Sequence, residues 1–578
     1  MIVPMKKITV VCTAHDRQAA LEKLQEAGAM HLLVDTASHR FHTTDEQLTE
    51  VEEAVAALNA EKEVETTPAS EQAIANLIET WRILKAAEKH AMELQTLVAK
   101  YEPWGNFDAK AIKELQNQEW FIQLFEWPLS KPLPEIEQAV WREVAPASSI
   151  RRLALVSRKQ VSVSEPPVLL PEKPLTELIV ERNAAHEALK KASASFFALS
   201  SNGPAFAVWL AEQRNRRLIE KLSAAMEASG PLSWITGFIP QTWQEVFDRL
   251  AKENQWALLL EDPAPEDEPP TLLSYPKWIQ PIKVVLDAIN VSPGYREADP
   301  GVLFLIFFSV FFAMLIGDAG YGLLFLGLTF IGKVFAKKMD PVVFRLLMIT
   351  SGATVIWGAL SGCWFGITTG LGLMEQVKID WLQSNENVMQ LCFLLGAVHL
   401  TFAHGWNIIR MAPAPAALAQ AGWVALTWVM YFLANSLVLQ KEMPSWVMPL
   451  FGAGAVLIAL FMTPLKQLKD EWYGHVMLPL NFVSHFVDVV SYLRLFAVGA
   501  ASLAVAGSFN AMALKGGVPD IVSGIIAAFI LFAGHTLNIV LGAMGVLVHG
   551  VRLNTLEFSS HLGVQWTGKS YNPFRRSA

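Results

Sequence analysis

Apolar residues follow two different patterns along this chain. Up to about residue 262 they come in short, spaced stripes, and from 302 onward in long, nearly unbroken runs. In the first part, Lys6 to Thr13 predicts a strand, Asp16 to Ala27 an amphipathic helix stopped by Gly28, and Met30 to Asp35 a second strand. Helical spacing then takes over. Leu48, Val51, Val55 and Leu58 make one stripe, and Ile74, Leu77, Ile78, Trp81 and Leu84 another, with charges opposite. A second αβ patch covers roughly Trp104 to Ser162, and a long polar helix pair Leu175 to Ala228. The chain then returns through a strand at Leu232 to Ile239, a helix at Gln241 to Lys252 and a strand at Trp256 to Glu261.

Outward helix, lobe, returning helix and lobe describe an N-terminal α+β dumbbell, two lobes joined by an antiparallel helical coiled coil. Its parts are a proximal lobe (1–43 and 229–262), a helical arm (44–103 and 171–228), a distal lobe (104–170) and a linker (263–300) that opens on the acidic, proline-rich run Asp262 to Pro270. Helices with so few neighbours bury their stripes against each other or against partner helices.

The long runs, at about 302–335, 342–370, 388–411, 416–439, 445–463, 474–514 and 519–562, predict a polytopic α-helical membrane domain over 301–578. Gly317, Asp318, Gly320 and Gly322 interrupt the first run, and three glycines around an acid predict a tight turn. Splitting that run gives about eight spans, ending in two long, tilted helices. Lys333, Lys337, Lys338 and Arg345, then Arg410, then Lys466 and Lys469, then Lys569, Arg575 and Arg576 all fall on one side, which predicts cytoplasmic N- and C-termini.

Charge reinforces the division. Residues 1–300 hold 31 Lys+Arg against 43 Asp+Glu, whereas 301–578 hold 15 against 11. The N-terminus has no cleaved-signal pattern, and the first part is expected to stay in the cytoplasm. Cys12, Cys363 and Cys392 have no motif spacing, and no phosphate-binding loop, nucleophile or metal constellation stands out. Neither a catalytic site nor a cofactor or metal is expected.

Arg494 is the residue that needs a reason. It stands about twenty residues from either end of the run 474–514, which otherwise carries His475, His485 and Asp488 as ionisable groups. A guanidinium at mid-membrane costs about 2.5 to 3.5 kcal/mol and cannot escape by losing its proton. Two readings follow: Arg494 meets an anion arriving within the membrane, or it neutralises a structural acid on another helix. Asp488, six residues back, lies about 9 Å along the helix and about 120° round it, which excludes direct pairing. Ser491, Ala497, Val498, Ala501, Val505 and Ser508 share the side of Arg494, a small-residue stripe suited to a close neighbour or a moving apolar surface.

The last run repeats the theme. His549 and Arg552 share a helical side with Asn538, Gly542 and Gly545, and Glu557 and His561 form an i, i+4 pair beyond them. Arg552 serves either as an anchor at the interface or as part of a polar, hydrated path. His399, His404, His475 and His535 read as packing or interfacial residues.

Ser491-Tyr492-Leu493-Arg494-Leu495-Phe496-Ala497 and Gly317-Asp318-Ala319-Gly320-Tyr321-Gly322 resemble the a-type stator subunit, called subunit I in prokaryotes, of rotary V/A-type ATPases and ATP synthases. Pro269-Pro270-Thr271-Leu272-Leu273, Pro276-Lys277-Trp278 and His549 through Arg552 match as well, and the resemblance runs the full length in a short prokaryotic form. It implies a non-catalytic subunit in the prokaryotic cell (inner) membrane, with two half-channels for proton or sodium ions against a proteolipid c-type ring. Arg494 would face the ring carboxylate and Arg552 be the second arginine. Further implied partners are E- and G-type peripheral-stalk subunits, a d/C-type central-stalk socket subunit and the lipid bilayer, with no nucleic acid. The eukaryotic form has a glutamate ten residues before the second arginine, a histidine eight residues after the first and a glutamate fourteen before it; Gly542, Ser502 and Leu480 stand there in this chain. Asp488, His485, Glu557 and His549 are the chemical substitutes. A secondary transporter, expected to carry an internal repeat, and a structural tether are the alternatives.

Overall fold

The computed structural model describes residues 1–33, 46–58, 67–106, 109–145, 150–169, 173–335, 340–368, 372, 376–463, 472–514, 517 and 520–576. Val34 and Asp35 of the second expected strand, and Lys337, Lys338, Lys466 and Lys469 of the orienting charges, lie outside the described residues. The chain separates into two compact units, one of Met1–Cys12, Ala27–Leu33 and Trp234–Phe574, the other of Thr13–Glu26, Val34–Ser233 and Arg575–Ala578.

In the second unit the helices Glu71–Tyr101 and Leu175–Phe197 pack against each other. Ile74, Leu77, Trp81, Leu84, Ala91, Leu94 and Val98 are buried along the first. Their three- and four-residue spacing is that of a coiled-coil seam. Ser70 caps this helix, its Oγ accepting the Ala73 amide. Near one end of the pair, Val51, Ala54 and Val55 of the helix Glu46–Ala57, with Leu58 just beyond it, join Trp81, Phe196, Phe206 and Leu210 in a core, each large apolar side chain contributing roughly 1.5 to 3 kcal/mol. Near the other, Val98, Tyr101, Leu175 and Leu178 pack against a three-stranded antiparallel sheet in which Ile150–Ser157 runs between Phe121–Pro128 and Ala139–Ala145.

The first unit contains the N-terminal strands and the apolar helices. Its strands lie in the order His31–Leu32, Leu232–Pro240, Met5–Thr13, Ala257–Glu261, with Lys7 opposite Glu261 and His31 opposite Phe238. The tail after residue 562 returns to them. Thr271 N donates to Lys569 O at 2.7 Å, Phe574 N to Met30 O at 2.7 Å and Asn572 N to His31 Nδ1 at 3.1 Å. Glu297 accepts from the backbone amides of Gly294, Gln565 and Trp566 and from Thr567 Oγ1.

Among the described residues, five helices are long and apolar enough to cross a membrane: Pro341–Ser361, Asn385–Met411, Ala416–Leu439, Leu478–Leu514 and Ile521–Leu562. A sixth candidate is the pair Gly301–Ile316 and Ala319–Phe335, bent by 119°, and the shorter Val447–Phe461 has 15 residues. Two long runs depart from uniform helix. The stretch 478–514 turns at Tyr492, between the helices Leu478–Ser491 and Leu493–Leu514. The last carries two π-helical turns, Val546–Gly550 and Leu553–Phe558, whose wider i→i+5 winding rotates everything beyond them.

Candidate functional site

The helices Gly301–Ile316, Leu493–Leu514 and Ile521–Gly545 approach closely because glycines line their contacts. A Cβ on Gly499 would stand 2.7 Å from Met314 O, and one on Gly545 3.0 Å from Val498 Cγ1. That proximity brings the polar groups of different helices together.

At the bend, Gly317 ends the first helix with φ +72° and Asp318 turns inward, 3% exposed. Asp318 Oδ1 accepts from the amides of Gly320 (2.8 Å), Tyr321 (3.1 Å) and Phe365 (2.8 Å), and Oδ2 from the Gly366 amide (2.7 Å) and the Cys363 thiol (3.1 Å). A Cβ on Gly320 would strike the Phe365 ring, and one on Gly322 the Val355 backbone. The expected turn of Gly317, Asp318, Gly320 and Gly322 is therefore a carboxylate knot holding the loop at 363–366 to the bend.

Arg494 begins its helix and reaches the last one. Its Nη1 donates to Glu557 Oε1 at 2.9 Å, and Arg552 Nε lies 3.6 Å from the same oxygen. Glu557 is buried, with its Oε2 unpartnered among the described residues, whereas the arginine side chains are 29% and 53% exposed. One carboxylate thus stands between two guanidiniums and one positive charge is left over. His549 lies three residues before Arg552, its Nδ1 without a hydrogen-bond partner.

The expected i, i+4 pair of Glu557 and His561 is not made. The π turn at Leu553–Phe558 carries the two apart: Glu557 turns to the arginines, and His561 Nε2 comes within 3.0 Å of Asp488 Oδ2. The earlier π turn, Val546–Gly550, explains why Asn538, Gly542 and Gly545 are buried while Arg552, expected on their side, is exposed.

Polar groups continue in both directions from Arg494. On the Asp488 side, His561, His485 and His404 form a cluster, His485 Nε2 meeting Thr427 Oγ1 at 2.8 Å and His404 Nδ1 meeting Gln420 Oε1 at 2.7 Å. A cavity of about 520 Å³ there is lined by Asp488, Arg552, Glu557, Ser560 and Trp566. On the other side, Asn538 Nδ2 donates to Ser502 O (3.0 Å) and Tyr321 Oη (3.1 Å), Tyr321 meets His535 Nδ1 (2.7 Å), and His535 Nε2 meets Asn510 Oδ1 (3.1 Å). Between the two clusters the Arg494 helix presents Ala497, Ala501, Ala504 and Ser508 as an exposed, small-residue strip.

All six residues expected on the ion path lie in this region, and His404, His561, His535, Asn538, Tyr321 and Asn510 are polar groups beside them. Periodicity gave no sign of His404 and His535, because their partners lie on other helices. His399 is the packing residue it reads as, fully buried and stacked between Phe307 and Phe558 with Tyr492 Oη 2.9 Å from its Nδ1.

No family model matches the chain. It is 28% identical to V-type ATP synthase subunit I 1 of Treponema pallidum (strain Nichols) over 640 residues, and 28% identical to V-type ATP synthase subunit I of Borreliella burgdorferi over 622. Both alignments cover the whole of both chains. The chain is thus similar over its whole length to subunits I of V-type ATP synthases. A-type ATP synthase subunit I of Methanocaldococcus jannaschii matches 59% of this chain and 54% of its own at 25% identity. A solved cytoplasmic N-terminal domain of subunit I, homolog of subunit a, of V-ATPase covers 44% of this chain and 99% of its own at 14% identity, with a TM-score of 0.23, too low to bear on the fold. In this chain Gly542 packs on Ile316 and Leu480 is exposed, so the polar side chains of the region come from other positions.

Proposed function

We propose that this subunit I is the stator of the membrane motor, holding two ion half-channels against a rotating proteolipid ring whose carboxylates pass Arg494. The observation that carries this reading is the imbalance at Glu557: a single resident carboxylate satisfies two arginines incompletely, and the spare positive charge lies beside an exposed strip of small residues. A second carboxylate arriving in the membrane is the group that would complete it. An opposite charge favours the ionised acid, which then releases its ion toward one polar cluster. It must reload from the other before re-entering lipid, since a bare carboxylate in hydrocarbon is far too costly.

The Asp488, His485, His549 and Glu557 region is the half-channel on the side of the tail, and the Tyr321, His535, Asn538 and Asn510 region the opposite one. Eight spans, counting both arms of the bent pair and Val447–Phe461, put both termini in the cytoplasm of a prokaryotic cell. The coiled-coil pair and its three-stranded sheet belong to a dumbbell arm that grips E- and G-type peripheral stalks, while the d/C-type socket carries the rotor. No catalytic residue is assigned to this chain, and ATP turnover belongs to the rest of the complex.

Arg494→Lys tests the core of the proposal. It keeps a cation but loses the always-protonated fork. Reconstituted complexes carrying it should assemble and lose ion-coupled ATP synthesis; full coupling would return Arg494 to a structural role. Deleting residues 104–162 should spare membrane insertion and uncouple ATP turnover from transport, and coupling unchanged by that deletion would remove the arm from the scheme.

A further inference from the structure

Three imidazoles from three helical segments converge beside Asp488 on a cavity of about 300 Å³. His404 stands on Asn385–Met411, His485 on Leu478–Ser491 and His561 on the final turn, Ser559–Leu562. Ring centroids lie 5.7 Å (His404 to His485), 5.1 Å (His404 to His561) and 4.6 Å (His485 to His561) apart, and one ligand nitrogen from each lies within 4.8 Å of the others.

The unused nitrogens point to a ligand. His404 and His485 are 3% and 1% exposed, and His404 Nε2 and His485 Nδ1 have no hydrogen-bond partner among the described residues. Their other nitrogens fix the tautomers. Thr427 Oγ1 already donates to Trp423 O at 2.9 Å, so His485 Nε2 must be the donor in its 2.8 Å contact with Thr427, and Nδ1 keeps its lone pair. His404 Nδ1 donates to Gln420 Oε1, and Nε2 keeps its lone pair. Buried polar atoms are rarely left without a partner. His561 brings the third ring, held by Asp488, and a carboxylate on an imidazole is the outer partner that orients metal-binding histidines.

We propose that His404, His485 and His561 form a site for a divalent transition cation of the Zn2+ type, and that filling it blocks ion movement; the second half rests on the reading of Asp488 as part of the ion path. Imidazole nitrogens suit Zn2+, Co2+, Ni2+ and Cu2+, whereas Mg2+ and Ca2+ require oxygen. Tetrahedral zinc at about 2.0 to 2.1 Å places its nitrogens about 3.3 Å apart, so the rings close by up to about 1.5 Å through side-chain rotation. The bound cation would occupy the lone pairs that relay protons and fix a double positive charge beside Asp488.

The full-length chain in lipid nanodiscs, titrated with Co2+, should bind one equivalent with the visible bands of tetrahedral coordination, and Zn2+ should displace it. His404→Gln and His485→Gln should each weaken binding at least about 100-fold. Thr427→Val leaves all three rings in place, releases only the His485 tautomer and should cost about tenfold. Wild-type protein that binds no saturable Co2+, or His variants that bind it undiminished, would overturn the site. In reconstituted complexes, micromolar Zn2+ should stop transport and a chelator restore it. Stoichiometric binding that leaves transport untouched would keep the metal site and remove this cluster from the ion path. Transport lost in Asp488→Asn, in a chain that never binds metal, would keep the path and remove the site.

Discussion

Asp318 and Glu557 are both buried carboxylates among apolar helices, 3% and 5% exposed, and their surroundings could hardly differ more. Among the described residues, Asp318 receives five hydrogen bonds, four from backbone amides, and none from a cationic side chain. Glu557 faces two arginines on long side chains and keeps one oxygen unpaired. Backbone donors are fixed once the chain has folded, so Asp318 has nothing to exchange. Arginine partners swing and are shared, so Glu557 can release one. A buried acid therefore acts as a rivet or as a switch according to whether its partners can leave.

The largest effect is expected at Arg494. Arg494→Ala should cut coupled transport by at least about 100-fold in an assembled complex and open a passive ion leak, measured as dissipation of a preset gradient. Asp318→Asn comes next and should act on folding. Its amide turns a donor toward groups that are themselves donors, costing about 2 kcal/mol in denaturant titration, while transport per folded complex stays level. Glu557→Gln should do the opposite, leaving the unfolding midpoint near wild type and lowering turnover about tenfold. If the two variants exchanged these outcomes, the contrast between rivet and switch would be lost. Arg552→Ala should be mildest, a few-fold loss of turnover, because its exposed side chain lets water take over part of its role.

Much of this was legible in the sequence because it rests on local cost. A guanidinium at mid-run and three glycines around an acid are anomalies without any neighbour being known, and both mark sites the structure builds on. The Leu48 and Ile74 stripes likewise name the buried faces of their helices. Pairing was not legible. Arg494 finds Glu557 across 63 positions, and helical spacing carries no information about which helix lies opposite. The π turns escaped for a different reason: one extra residue per turn leaves the hydrophobic run unbroken while rotating Arg552 away from Asn538 and separating Glu557 from His561. The approach of His404 to two other imidazoles was not legible because a lone histidine on an apolar helix looks the same whether it packs against Phe or faces other histidines.

The seam between the tail and the first strands has a consequence for how the chain is made. Ala29, Met30 and His31 leave the ribosome long before the groups that bind them, on Tyr571, Asn572 and Phe574, are synthesised. At about 5 to 20 residues per second, some 540 intervening residues impose a wait of roughly half a minute to two minutes. Until every apolar helix has been threaded into the bilayer, the edge strand His31–Leu32 lacks its clasp. The clasp on His31–Leu32 thus waits for the helices in between to be made, and ribosome-stalled chains lacking residues 563–574 should remain open to proteolysis near residue 30 until those residues are supplied.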